Sequence, residues 1–231
     1  MKFTLLCFLI VFSSSLSAQF AVVDDPDGFV YVRSGAGKNF PVIDTLKNRD
    51  LVYQYEDESS WMNIDYRLSA DKAKFFKSGF VHSSRLKLVE TFTEIPRTQI
   101  NDTLIKFKWD SCQLIIKEKY FNPGKHSFTY YKYEDHDSVI SKIDGSNYWG
   151  TDGDMPQSQY GKCQLTLGKK VLDLPVKTLY NPNLHLTSLY IDRATNTLYL
   201  SAFNSDGAGG YVVLWELRNE TFYQQFIAYG F

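Results

Sequence analysis

From residue 19 onward, apolar and polar side chains alternate in short runs, and few stretches hold the three-to-four spacing that a helix face requires. Phe29-Val30-Tyr31-Val32-Arg33 and Trp61-Met62-Asn63-Ile64-Asp65-Tyr66 show the period of two that sends neighbouring side chains to opposite faces of a strand. Residues 19–24, 29–33, 51–55, 61–66 and 78–82 read as strands. Asp24-Asp25-Pro26-Asp27-Gly28 and Asn48-Arg49-Asp50 read as reversals, Ser34 to Asn39 as a glycine-rich loop, 56–60 as a charged tip and 67–77 as a longer polar excursion. Short strands at this spacing predict a small barrel.

Residues 90–96 read as a linker or as the first edge of a second module. Beyond Ile100 the alternation resumes over 103–109, 112–118, 127–133, 138–143, 163–167, 170–174, 186–191, 197–203, 211–217 and 222–229. Only 175–179 reads as a short helix. This many short strands predict a sandwich or a large barrel. They are too unlike one another for the repeated blades of a propeller. The expectation is an all-β chain: a small barrel over 19–90, then a larger antiparallel β-sandwich or barrel over 91–231.

The first 18 residues have a different pattern. Met1-Lys2, an apolar run from Phe3 to Phe12 and the small polar stretch from Ser13 to Ala18 have the layout of a secretory signal. The run is too short for a membrane span, which takes about 20 residues. Cleavage after Ala18, or after Ser17, would leave a periplasmic or secreted chain. Leu6 stands where a lipid-anchored signal needs a small residue before Cys7. The chain carries 26 acidic and 25 basic residues, and with Lys2 removed the remainder has a net charge of −2 with neutral His. That excludes the basic stripe that nucleic acid demands.

Within the first module, Tyr31-Val32-Arg33-Ser34-Gly35-Ala36-Gly37, then Pro41-Val42-Ile43 and Leu46, then Trp61, then Gly79-Phe80-Val81-His82-Ser83-Ser84-Arg85-Leu86 stand in order. In this the chain resembles the bacterial Src-homology-3-like family over roughly residues 20–90. It departs from the family where Arg49 or Asp50 replaces the usual Gly, and where 67–77 runs long. The resemblance implies a peptide, a peptidoglycan fragment or another extracytoplasmic protein as partner. In barrels of this kind a ligand lies between loops on aromatic side chains, which are large and cheap to fix. Tyr31, Tyr53, Tyr55, Trp61 and Tyr66 are the candidate contacts, with the alternative that these rings cover the barrel exterior. Arg33, at a strand end, is expected to tie loop carbonyls together rather than hold a ligand. The segments 148–156 and 204–211 and the C-terminal residues resemble uncharacterised secreted Bacteroidetes-type proteins, a likeness with no assigned activity.

Catalytic motifs are sparse. No Gly-x-Ser-x-Gly elbow and no His-Glu-x-x-His spacing occurs, and His126, His136 and His185 are scattered. Such modules often accompany cell-wall peptidases, so a nucleophilic thiol deserves a test. Cys112 and Cys163 are each followed by strand-like sequence instead of the helix start that lowers a thiol pKa. They are the two cysteines left after the leader and a candidate disulfide, closing a loop of about 50 residues worth about 4 kcal/mol. The alternative is a pair of buried thiols. Two glycine- and acid-rich loops, 143–156 and 204–211, carry Asp144, Asp152, Asp154 and Asp206. Calcium favours such carboxylate loops, although neither has the spacing of a helix-loop-helix site, and two close-packed structural loops are the alternative. Trp149 is a candidate for stacking on a sugar or peptide, against the alternative of a buried anchor.

The reading favoured is a non-catalytic extracytoplasmic binding protein. The alternatives are a cell-wall hydrolase using Asp152, Asp154 or Asp206 as paired carboxylates, or an inhibitor that plugs a hydrolase. Mass spectrometry of exported protein is expected to find the N-terminus at or beside Gln19. An intact Met1 or a lipid-modified form would overturn the assignment of the leader.

Overall fold

The computed structural model describes residues 19–55, 60–67, 76–132 and 138–230. The expected leader, most of the tip before Trp61, most of the excursion 67–77 and His136 lie outside the described residues. The protein is all-β, and its first strands are β1 (Gln19–Val23), β2 (Phe29–Arg33), β3 (Val42–Lys47), β4 (Leu51–Tyr55), β5 (Trp61–Tyr66), β6 (Lys77–His82) and β7 (Leu86–Leu88). They form one sheet in the order β3-β2-β6-β5-β4-β1-β7. Val30, Val32, Leu46, Val52, Ile64 and Val81 meet in a single core, and Leu86 and Leu88 pack on its margin. Since both edge strands contribute to that core, the sheet bends back over itself. Gly79 permits the bend: a Cβ there would lie 2.4 Å from Val32 Cγ1 and 3.1 Å from the Arg33 carbonyl oxygen, so any larger residue would push β6 off β2.

The later strands are β8 (Thr93–Ile95), β9 (Arg97–Asn101), β10 (Leu104–Trp109), β11 (Cys112–Tyr120), β12 (Phe128–Tyr131), β13 (Val139–Ile143), β14 (Ser158–Leu167), β15 (Lys170–Asp173), β16 (Thr187–Asp192), β17 (Thr197–Asn204), β18 (Tyr211–Arg218) and β19 (Thr221–Tyr229). Two five-stranded sheets, β15-β14-β11-β10-β9 and β19-β18-β17-β16-β8, lie face to face, and β12 pairs with β13 to one side. Ile105, Phe107, Leu114 and Ile116 of the first sheet share a core with Leu189, Leu200, Val213 and Trp215 of the second, which makes this module a β-sandwich. Of the two readings of residues 90–96, linker or first edge of the second module, the structure has the edge: the stretch supplies β8, paired to β16 at the margin of its sheet. Residues 175–179 form no helix. The Pro175 carbonyl accepts from Trp215 Nε1 at 2.8 Å and from Gln225 Nε2 at 2.9 Å, so the segment is tied to the sandwich instead of coiling on itself.

The two modules share a second core. All of Tyr211 to Leu217 on β18 is buried. Tyr211, Val213, Trp215 and Leu217 point into the sandwich, while Val212 and Leu214 point the other way, against Phe20, Leu51 and Tyr53 of the first module. Polar ties border the seam. Arg49 Nη2 donates to Thr197 Oγ1 at 3.0 Å, and Arg218 Nη2 donates to the Arg49 carbonyl at 2.9 Å. Arg49 adopts φ +72°, the left-handed conformation that favours glycine. Arg49 therefore turns the chain in a conformation that glycine would adopt more easily, and its side chain crosses to the next module. The buried Glu216 accepts from Arg218 Nε and from Gln224 Nε2, so its charge is paired.

The expected disulfide is absent, and both cysteines are free. In the β11–β14 ladder Cys112 lies opposite Leu167 and Cys163 opposite Ile116. Four residues of strand, roughly 13 Å, separate the two along the ladder, beyond the roughly 7 Å that a bridge spans between Cα atoms.

Phe226 on β19 sits in the seam with its ring 5.6 Å from Phe20 and 4.5 Å from Phe76. Phe226→Ala is expected to lower stability by about 3–5 kcal/mol, as loss of a buried aromatic does. Because the seam is common to both modules, near-ultraviolet dichroism and calorimetry should still report one transition. A variant in which only the sandwich melts early would show that the modules fold independently.

Candidate functional site

Alternation along β2 buries Val30 and Val32 and turns Phe29 and Tyr31 outward, with their rings 5.2 Å apart and edge to face. Across the sheet, Trp61 on β5 pairs with His82 on β6, and these rings meet edge-on at 5.4 Å. Between the two aromatic pairs runs a groove of about 280 Å³, whose charged lining is Asp25, Asp27, Arg33, Lys38 and Arg85. His82 Nδ1 accepts the Ser84 amide at 3.3 Å and lies 2.8 Å from Ser84 Oγ, so in the neutral ring the proton sits on Nε2.

The groove is held by one buried carboxylate. Asp25, about 5% exposed, accepts the Asp27 amide on Oδ1 at 2.8 Å, and its Oδ2 forms an ion pair with Arg85 Nη1 at 3.0 Å. Asn48 accepts the Asp25 amide and donates to its carbonyl, which locks the turn. Arg33 Nη1 donates to the Phe40 carbonyl at 2.7 Å and pins the glycine-rich loop, as expected for a strand-end arginine.

Of the aromatic candidates, Tyr31 and Trp61 line this groove. The others have different roles. Tyr53 is buried in the seam, its hydroxyl donating to the Tyr229 carbonyl at 3.2 Å; burial, with Asp65 adding, pushes its pKa up to about 12. Tyr55 stacks edge-on to Tyr53 at 5.3 Å and donates to Asp65 Oδ2 at 2.8 Å. Tyr66 is buried in the first core with its hydroxyl 3.3 Å from Asp44 Oδ2. The face carrying Tyr53 and Tyr55 is thus covered by the second module. Trp149 is an anchor rather than an open platform: its ring packs 4.9 Å from Tyr229 and 6.1 Å from Tyr211, against the sandwich core. Phe29, His82, Arg85 and Asp25 belong to the groove and were not foreseen as contacts; Lys38 comes from the glycine-rich loop, one of the loops between which a ligand was expected to lie. His82 and Arg85 stand in the Gly79–Leu86 motif and Asp25 in the first turn, positions that read as scaffold.

In the sandwich module the two acidic loops meet. Asp152, Asp154 and Asp206 line one cleft of about 290 Å³. Gln157, Asn181, Ser205 and Asp206 carry it into a second hollow of about 550 Å³ bordered by Tyr120 and His185. Gly209 lets the loops touch, because a Cβ there would fall 2.8 Å from Thr151 Cα. Asp144 stands apart from these three. Its Oδ1 accepts the Ser127 amide at 3.0 Å, its Oδ2 faces His126 Nδ1 at 2.8 Å, and the His126 ring stacks on Phe121 at 4.6 Å. The four aspartates proposed for calcium are therefore split. Among the described residues, no group of three or more His, Cys, Asp or Glu is placed to hold a metal ion.

The thiols are set against nucleophilic use. Burial raises the Cys163 pKa far above the usual thiol value, with Asp173 adding to the shift, and burial also raises that of Cys112 against an opposing hydrogen bond from Ser111. A catalytic thiol needs the reverse. No protein-family model matches the chain, and neither a curated protein nor a solved structure matches it.

The Ser127 amide first, and His126 second, hold the Asp144 carboxyl below its ordinary range. A depressed folded-state value means that the stabilisation from this pair is full above the unfolded value, about 4, and is lost only as pH falls through the lower one. A carbon-13 titration of the Asp144 carboxyl is expected to give a midpoint below that of a free aspartate. A midpoint at or above it would show that the clamp does not form.

Proposed function

We propose that this is an extracytoplasmic, non-catalytic binding protein. Its first module, similar to the bacterial Src-homology-3-like family, takes a peptide or cell-wall fragment in the groove between Tyr31 and Trp61. The observation that carries this reading is the groove itself: two edge-to-face aromatic pairs, one exposed and one half-buried, flank charged groups of which Arg85 is fixed by an ion pair to the buried Asp25. Rigid aromatic walls with a few convergent polar groups are the usual form of a recognition site. Two further features agree with it. The leader-like residues 1–18 point to export, and the raised thiol pKa values speak against cysteine chemistry. Among the described residues no helix is long and apolar enough to cross a membrane.

The shared seam makes the whole chain from residue 19 the right reagent, because a fragment ending near residue 90 would expose Phe20, Leu51 and Tyr53. Co-sedimentation with purified peptidoglycan, and titration with its stem peptides, are expected to show binding by the wild-type protein. Tyr31→Ala and Trp61→Ala should each weaken it by about 1–3 kcal/mol with unchanged dichroism. Equal binding by both variants would remove the groove from the function. No binding by the wild-type protein to any wall component would move attention to the cleft between the acidic loops.

A further inference from the structure

The groove has more hydrogen-bond donors to offer than acceptors. Asp25 is already committed, one oxygen to the Asp27 amide and the other to Arg85. The ion pair to this buried carboxylate fixes Arg85 in the wall of the groove while its side chain stays 42% exposed. A guanidinium carries five N–H donors in a planar fork that matches a carboxylate. Arg85 directs Nη1 to Asp25, and Arg33 directs Nη1 to the Phe40 carbonyl. Their remaining donors have no side-chain or carbonyl partner among the described residues. Lys38, exposed at the rim, makes no ion pair there either, and Asp27 is the one carboxylate of the lining not spent on a cation.

We propose that this groove recognises a peptide carboxylate, seated among Arg33, Lys38 and Arg85, with the neighbouring peptide residues lying on Tyr31 and Trp61. The inference rests on the groove being the binding site and adds the chemical class of what it holds. Each arginine is held through one nitrogen by a rigid acceptor, so its free edge is oriented before ligand arrives and little side-chain entropy is lost on binding. Asp27 lies in the same lining and disfavours a second anion nearby, which limits the site to one carboxylate and separates it from a general anion patch.

The test uses the whole chain from residue 19 and an immobilised tetrapeptide library made in three forms: free C-terminus without acidic residues, C-terminal amide with one internal Glu, and C-terminal amide without acidic residues. Binding to one or both carboxylate forms is expected to exceed that to the neutral amide by roughly tenfold, the scale of one charge-assisted hydrogen-bond pair. Comparison of the first two forms tells a terminal from a side-chain carboxylate. The preference should shrink with added salt and fall toward unity in Lys38→Gln and Arg33→Gln, while binding of the neutral form is retained. Lys38→Gln touches nothing on which folding depends, so it serves if Arg33→Gln loosens the loop. Equal binding of all three forms, or a preference unchanged in both variants, would overturn the carboxylate inference and leave peptide binding standing. No binding of any form would overturn the binding reading along with it.

Discussion

The architecture depends on covering β18 from both sides. One face of this strand closes the sandwich with Val213 and Trp215, and the other closes the seam with Val212 and Leu214. A strand buried on both faces is stable only while both covering layers are present, because each missing layer would expose a row of apolar side chains to water. The first module is therefore a structural third layer of the sandwich as well as a carrier of the groove. Arg49, Thr197, Arg218 and Glu216 border the seam with hydrogen bonds that must be made together, which fixes how one module sits on the other.

That arrangement divides the first module's aromatic residues between two duties. Those on the β4 face, Tyr53 and Tyr55, are consumed by the seam. Those on the outer face of β2 and at the start of β5 remain open and form the groove. The floor beneath them is set by Asp25, whose burial would be costly without Arg85 and the Asp27 amide. A single ion pair thus serves both module and groove: the contact that neutralises a buried carboxylate also positions a guanidinium at the groove wall.

The described groove lining comes from the first module, and the sandwich module's loops line clefts of their own. The acidic loops close on each other through Gly209 and Thr151, and the Asp144–His126 pair clamps the start of the longer one. Cys112 and Cys163 face the interior of the sandwich as apolar fillers, held apart by their register across β11 and β14.

The chain's own pattern determined most of the strand positions, because a period of two in side-chain polarity is a local property; β3, β7 and β9, which it did not mark, take their extended form from the strands they pair with. Phe29 to Arg33 and Trp61 to Tyr66 could be read as strands without knowing any partner, and Tyr31 and Trp61 stood among five aromatic candidates that alternation alone could not tell apart. Tertiary structure alone decided which faces are covered. Tyr53 and Tyr55 alternate just as groove residues would, yet Tyr53 is buried and Tyr55 half-buried because β18 arrives against them from more than 150 residues away. Pro175 begins a stretch with helical potential, and Trp215 and Gln225 take its carbonyl before a helix can use it. Register separated the cysteines, and the meeting of distant turns assembled Asp25, Arg33, Lys38 and Arg85 around one groove. Local sequence specifies the direction in which a side chain points; what it meets there depends on contacts between residues far apart in the chain.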